Sequence, residues 1–220
     1  MPVITVGTEN SGAIELHYED YGSGRPVILI HGYPLSGRAW DKQLPPLLSA
    51  GRRVITYDRR GAGGSSQPAT GYDWDTFAAD RSALIDKLGL DGVTLVGHSV
   101  GTGEVTRYLS SYGSAKVDRA VLIGPIPPFL SQAPDNPDGV PANLFDGFRQ
   151  SAAADTPAWL KGFLDNFYNI NQFGVEVQAR RQLVGEAVLL QLRGELDHRL
   201  HVGAGPRVLV GGQDVQRGGA

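Results

Sequence analysis

The sequence predicts an α/β protein, a mostly parallel sheet flanked by helices, and three observations predict it. Short β-branched runs recur along the first 124 residues, and segments with helical periodicity separate them. The chain, at 220 residues and 41% hydrophobic, is long enough and apolar enough for one sizeable core.

The first two strand candidates are of the half-buried kind. Val3–Val6 ("VITV") and Ala13–Asp20 ("AIELHYED") alternate apolar and polar residues, with "GTENSG" as the turn between them. His17, in the second, is expected to be a partly exposed sheet residue. "PVILI" (Pro26–Ile30) is instead continuously apolar, as a strand covered on both faces must be. "RVITYD" (Arg53–Asp58), "VTLVG" (Val93–Gly97) and "RAVLIG" (Arg119–Gly124) repeat that pattern. Between them, "DTFAADRSALIDKLGL" places Phe77, Leu84, Ile85 and Leu88 on one helix face. Residues 1–124 therefore read as an α/β core with an antiparallel start.

The pattern changes twice after that. Residues 125–173 begin with a stretch holding six of the 14 prolines and no strand pattern. It resolves into "PAWLKGFLDNFYNI", with Trp159, Leu160, Phe163, Phe167 and Tyr168 at helical spacing. Such an excursion after a sheet strand suits a cap over an active site, and it suits an ordinary surface insertion equally. Residues 174–220 contain no Phe, Trp, Tyr or Lys, and Gly, Arg, Leu and Val dominate. "LVGEAVLLQL" has helical character and "RVLV" that of a short strand, but the tail reads as foreign to what precedes it.

Composition excludes several functions. A net charge of −3 with both signs scattered provides no footprint for nucleic acid. Zero cysteines rule out disulfides, thiol catalysis and Cys-based zinc sites. The N-terminus lacks the pattern of a secretory signal, and no run approaches the ~18 apolar residues of a membrane span. A cytoplasmic protein is expected, with no metal, no cofactor and no nucleic-acid or membrane partner. "DRRGAGGSS" (Asp58–Ser66) resembles a phosphate loop only superficially, because it lacks both the Lys-Ser/Thr ending and the G-x-G-x-x-G spacing.

"TLVGHSVGTGEV" (Thr94–Val105) contains G-x-S-x-G, which means little by itself in a chain with 30 glycines. Its position gives it weight. "VTLV" reads as a buried strand and "GEVTRYLSSY" as a helix, so Ser99 sits at a sharp strand-to-helix turn. There a serine is strained, and side chains at Gly97 or Gly101 would strike crossing backbone. Gly97, His98 and Gly101 would thus form a nucleophile elbow around Ser99. A serine that merely N-caps a helix is the competing explanation. "HGYPLSGRAW" (His31–Trp40) follows the strand "PVILI", where such an elbow finds half of its oxyanion hole. The two N–H donors would be those of Tyr33 and Val100.

Together, "GSGRPVILIHGYPLSGRAWDKQ", "VITYDRRGAGGSSQP", "TLVGHSVGTGEVTRYLSSYG" and "RAVLIGPIPPFL…NPDGVPANLFDGFR…FLDNFYN" resemble successive blocks of one family. It is the bacterial cofactor-free haloperoxidase and arylesterase branch of the α/β-hydrolase superfamily, matched over about residues 13–172. The resemblance implies an α/β-hydrolase fold and a serine esterase of small carboxylic esters. It also implies peracid formation from hydrogen peroxide and a short carboxylic acid, the peracid then oxidising halide. Ser99 carries over as nucleophile, Tyr33 and Val100 as oxyanion donors, and the Pro-rich segment as the cap. The expected partner is a small ester or carboxylic acid, with homo-oligomer formation left open.

The resemblance stops where the rest of the triad belongs. Family members run some fifty residues longer, with the acid and then the histidine late in the chain. Of five histidines, His31 belongs to the oxyanion loop and His98 should point away from Ser99. His198 and His201 remain, in a context unlike the family's, so the histidine base is unassigned. "GPRVLVGGQD" echoes the family's acid loop and nominates Asp214, against coincidence in a Gly/Val-rich tail. The expectation is a C-terminally incomplete hydrolase fold, residues 174–220 arising from a shifted reading frame or a truncation. The alternatives are an inactive hydrolase-fold fragment and a non-enzymatic small-molecule binding protein.

Overall fold

A computed structural model describes residues 2–126, 129–168 and 207–211 of the chain. These fall into two compact units, one of Met1–Ile126 together with the last strand, the other within Pro127–Glu186. No helix among the described residues is long and apolar enough to cross a membrane.

The first unit is built on one sheet. Its strands are β1 (Val3–Glu9), β2 (Gly12–Tyr21), β3 (Arg25–Ile30), β4 (Arg52–Tyr57), β5 (Val93–His98), β6 (Val117–Ile123) and β7 (Arg207–Gly211). Among the described residues their order is β1-β2-β4-β3-β5-β6-β7. β1 pairs antiparallel with β2, and β2 with β4, while β3 to β7 are parallel. The antiparallel start closes on a two-residue turn in which Asn10 and Ser11 both take positive φ (48° and 68°). That conformation matches the right-handed twist of a tight hairpin.

The central strands are apolar throughout because each face has its own cover. Ile28 and Ile30 of β3, Ile55 and Tyr57 of β4 and Leu95 of β5 meet helices α2 (Trp74–Lys87) and α3 (Val100–Tyr112) through Ala78, Leu84, Ile85, Val105 and Tyr108. Val27, Leu29, Val54, Val96 and Val121 face the other way, onto Trp40 and Leu47 of the short helices Gly37–Trp40 and α1 (Leu44–Ser49). The strand period of two thus sorts one apolar run into two cores. α2 starts on the Asp73 carboxylate, which accepts the Thr76 N–H at 2.9 Å, and is followed by Gly89 at φ 59°.

Strand order decides where a site can form. From β3 the chain moves outward to β4, then crosses back so that β5 lies on the opposite side of β3. The segments leaving β3 and β5 go to opposite faces, which opens a crevice between their carboxyl ends.

The second unit contains helices α4 (Ala142–Ala154) and α5 (Thr156–Phe167), and neither has a fully buried residue. α5 begins on Asp155, whose side chain accepts the Ala158 N–H at 3.0 Å. Aromatic rings run in sequence from Phe145 through Phe148, Trp159, Phe163 and Phe167 to Tyr168, with centroids 5.1–6.5 Å apart.

Candidate active site

Ser99 is the residue between β5 and α3, at φ 52° and ψ −119°. A non-glycine residue held at positive φ is strained, and such strain persists only where surroundings over-determine it. Here they do. The Ser99 N–H continues the ladder to the Ile123 carbonyl at 2.9 Å. The Ser99 carbonyl accepts both the Thr102 N–H (2.9 Å) and the Thr102 hydroxyl (2.6 Å). Ser99 occupies the N-cap position, yet its side chain makes no capping hydrogen bond. The hydroxyl of this half-buried serine is therefore not used as a cap.

The glycines around it exclude side chains for a measurable reason. A β-carbon on Gly97 would lie 2.5 Å from the Gly101 carbonyl oxygen. One on Gly101 would lie 2.5 Å from the Ile30 carbonyl oxygen and 3.1 Å from that of His31. One on Gly32 would lie 3.1 Å from the Ser99 β-carbon. The turn after β5 and the loop after β3 are thus in backbone contact at the crevice. Val100 opens α3, where a helix leaves its first N–H groups without an internal partner and the dipole favours negative charge.

His31 is buried and fully engaged. Its Nδ1 lies 2.8 Å from the Gly32 carbonyl, and its Nε2 accepts the Arg59 N–H at 3.0 Å. An accepting Nε2 requires the proton on Nδ1, so the ring is neutral. Burial, reinforced by the Arg59 guanidinium, pushes its pKa down to about 4.

Beneath the Ser99 turn lies a knot of buried charge. Glu104 of α3 receives Arg59 Nε at 3.0 Å on one oxygen, and Arg81 of α2 and the Tyr57 hydroxyl on the other. Arg59 also donates through Nη2 to the His31 carbonyl at 2.9 Å. The Arg81 guanidinium lies 3.9 Å from the Tyr57 ring centroid, a close cation–π contact. Beside it, Arg60 forms a two-pronged pair with Asp80 at 2.7 and 2.6 Å. Within "DRRGAGGSS", Asp58 accepts the N–H groups of Gly37 and Gly64, both at 2.7 Å. This loop braces strand ends through carboxylate and guanidinium groups.

The expectation for His17 needs correction. It is buried rather than partly exposed, 8% accessible, with Nδ1 3.2 Å from Asp58 Oδ2. The physical reason is that the Asp58–Ser66 loop folds over β2, Ser65 accepting the His17 N–H at 2.9 Å. Although this is a His–Asp pair, three interstrand spacings separate β2 from β5, roughly 14 Å. His98 packs edge-on against Trp40, centroids 6.4 Å apart, and burial lowers its pKa. His198, His201 and Asp214 lie outside the described residues. Asp214 follows the carboxyl end of β7 by three positions, and β7 lies parallel to β6. Among the described residues no cluster of His, Asp and Glu could hold a metal ion.

Arg59, Glu104 and Arg81 were not anticipated. A hint exists in Glu104, which falls between Thr102 and Val105 on the face of α3 that turns inward.

Comparison with known proteins bears directly on this geometry. Residues 25–173 match the family described as alpha/beta hydrolase fold. A Synechocystis protein provisionally named a non-heme chloroperoxidase is 56% identical over 171 residues, covering 78% of this chain and 62% of its own. A bifunctional esterase/perhydrolase of Acinetobacter calcoaceticus is 39% identical over 173 residues, covering 74% of this chain and 60% of its own. The crystal structure of a bromoperoxidase from Bacillus anthracis superimposes with a TM-score of 0.70 at 42% identity, covering 84% of this chain and 67% of that one. The chain thus spans about three fifths of the length of the two curated relatives.

Proposed function

Since this chain belongs to the alpha/beta hydrolase fold family, we propose that it is a cofactor-free serine hydrolase of small carboxylic esters with a perhydrolase side activity. The observation that carries the reading is Ser99, held at φ 52° with its hydroxyl making no capping bond. Relatives named as haloperoxidases and as an esterase/perhydrolase support the substrate class.

In this reading Ser99 Oγ attacks the ester carbonyl carbon while a histidine takes its proton. The charge developing on the carbonyl oxygen is received by the N–H groups of Tyr33 and Val100. The histidine returns the proton to the departing alcohol as its C–O bond breaks, leaving an acyl-serine. Water then releases the carboxylic acid, or hydrogen peroxide releases the peracid. The peracid passes one oxygen to a halide ion, giving hypohalite and the parent acid.

His17, His31 and His98 are engaged as described, so the base is assigned to His198 or His201, with Asp214 as the orienting acid. Labelling by a fluorophosphonate probe tests the proposal. The folded chain should label, and Ser99→Ala should not. Loss of label in one of His198→Ala and His201→Ala would identify the base. A folded chain that labels no better than Ser99→Ala would instead be an inactive hydrolase fold or a binding protein.

A further inference from the structure

The peptide between Gly32 and Tyr33 has two ends with separate duties. Its N–H is the oxyanion donor of the proposed site, and its carbonyl points the opposite way, as a trans peptide requires. That carbonyl is 2.8 Å from His31 Nδ1, and it also accepts the Leu35 N–H at 3.1 Å. Whatever holds the carbonyl aims the N–H.

We propose that His31 is a positioning residue for the oxyanion hole: its Nδ1–H, donated to the Gly32 carbonyl, sets the plane of the peptide that presents the Tyr33 N–H. This rests on the serine-hydrolase reading given above. One contact fixes the proton on the imidazole, and two more hold the residue in place. The Arg59 N–H occupies Nε2 at 3.0 Å, which forces the proton onto Nδ1. Arg59 Nη2 holds the His31 carbonyl at 2.9 Å, so the residue is gripped at main chain and side chain together. Glu104 then anchors Arg59 through Nε at 3.0 Å. Glu104 lies on α3, the helix that begins at Val100 and supplies the second donor. The two halves of the oxyanion hole are therefore referenced to one rigid element. The neutral ring persists because burial and the Arg59 charge keep it from protonating until about pH 4.

Two substitutions separate this role from mere filling of space. Asparagine at position 31 places an amide N–H where the imidazole Nδ1–H sits. Glutamine reaches toward the Nε2 position and offers nothing at Nδ1. With a chromogenic acetate ester, His31→Gln should lose roughly 100-fold or more in kcat, the scale of a lost oxyanion donor, with KM within about twofold. His31→Asn should recover most of that loss. Equal loss in both variants, or better activity in His31→Gln, would overturn the proposal.

Nitrogen NMR of the unmodified chain gives a reading that needs neither turnover nor a variant. His31 should show a protonated Nδ1 and a bare Nε2 between pH 5 and 8. A protonated Nε2, or a ring that titrates near pH 6.5, would overturn the proposal even if neither variant folds. Absence of fluorophosphonate labelling would count against the hydrolase reading alone, because the tautomer is read independently of it.

Discussion

The turn at Ser99 and the α4–α5 pair solve opposite problems. Around Ser99, backbone strain, two buried guanidiniums and a carboxylate are packed among atoms that leave no room for a methyl group. Along α4 and α5, the large apolar side chains touch one another in a row while remaining partly exposed. Strain and desolvated charge survive in the first region because its charged groups are shared across neighbouring elements, Glu104 of α3 receiving both Arg59 and Arg81. The second combines ring contacts, a cap and exposed ion pairs, each replaceable. Precision belongs to the region where the chemistry is proposed.

The largest effect should come from removing the anchor of the charged knot. Glu104→Ala leaves Arg59 and Arg81 buried without their shared carboxylate, a cost of about 3–5 kcal/mol. Urea denaturation at pH 7 measures it, and a midpoint close to the unmodified chain's would show that the knot is not what holds this region.

Next is the response to acid. The folded pKa of His31, about 4, lies below its ordinary 6.5, so between those values the unfolded chain binds a proton that the folded chain refuses. Stability is fully present above pH 6.5 and falls as pH drops toward 4. At ~1.4 kcal/mol for each tenfold change in proton affinity, the loss is on the order of 3 kcal/mol. Burial comes first among its causes and Arg59 second, while Glu104 and Asp58 oppose them. His31→Gln should flatten this part of the urea midpoint-versus-pH curve. A curve of unchanged slope would assign the acid sensitivity to the carboxylates.

The smallest effect belongs to the second region. Phe148 is 43% exposed and meets Phe145 and Trp159 edge-to-face. Phe148→Ala should cost about 0.5–1.5 kcal/mol, the worth of such ring pairs. A loss as large as that of Glu104→Ala would erase the contrast between the regions.

Much of this was legible in the residues. The continuous runs at Pro26–Ile30 and Val93–Gly97 indicated strands covered on both faces, and the structure covers both faces. The α/β reading and the haloperoxidase resemblance agree with the family match over residues 25–173 and with the bromoperoxidase superposition. α4 was not foreseen. Its start carries no capping side chain and Gly147 interrupts its interior, so local propensity is weak where ring packing with α5 supports it.

By itself the sequence determined the strand set, the position of Ser99 between a strand and a helix, and the need for glycine at 97 and 101. Those properties are local, set by hydrophobic period and by backbone sterics within a few residues. Tertiary structure alone decided the partners of the charged and titratable groups. Nothing near His17 in the chain announces Asp58, which is 41 positions away, and nothing near Arg59 announces Glu104, 45 positions on. Such pairs form where strand order brings separate loop ends together, and the low dielectric there makes each unpaired alternative costly. For that reason the sequence could place the serine, while only the fold could show which histidine contacts the Gly32 carbonyl beside it.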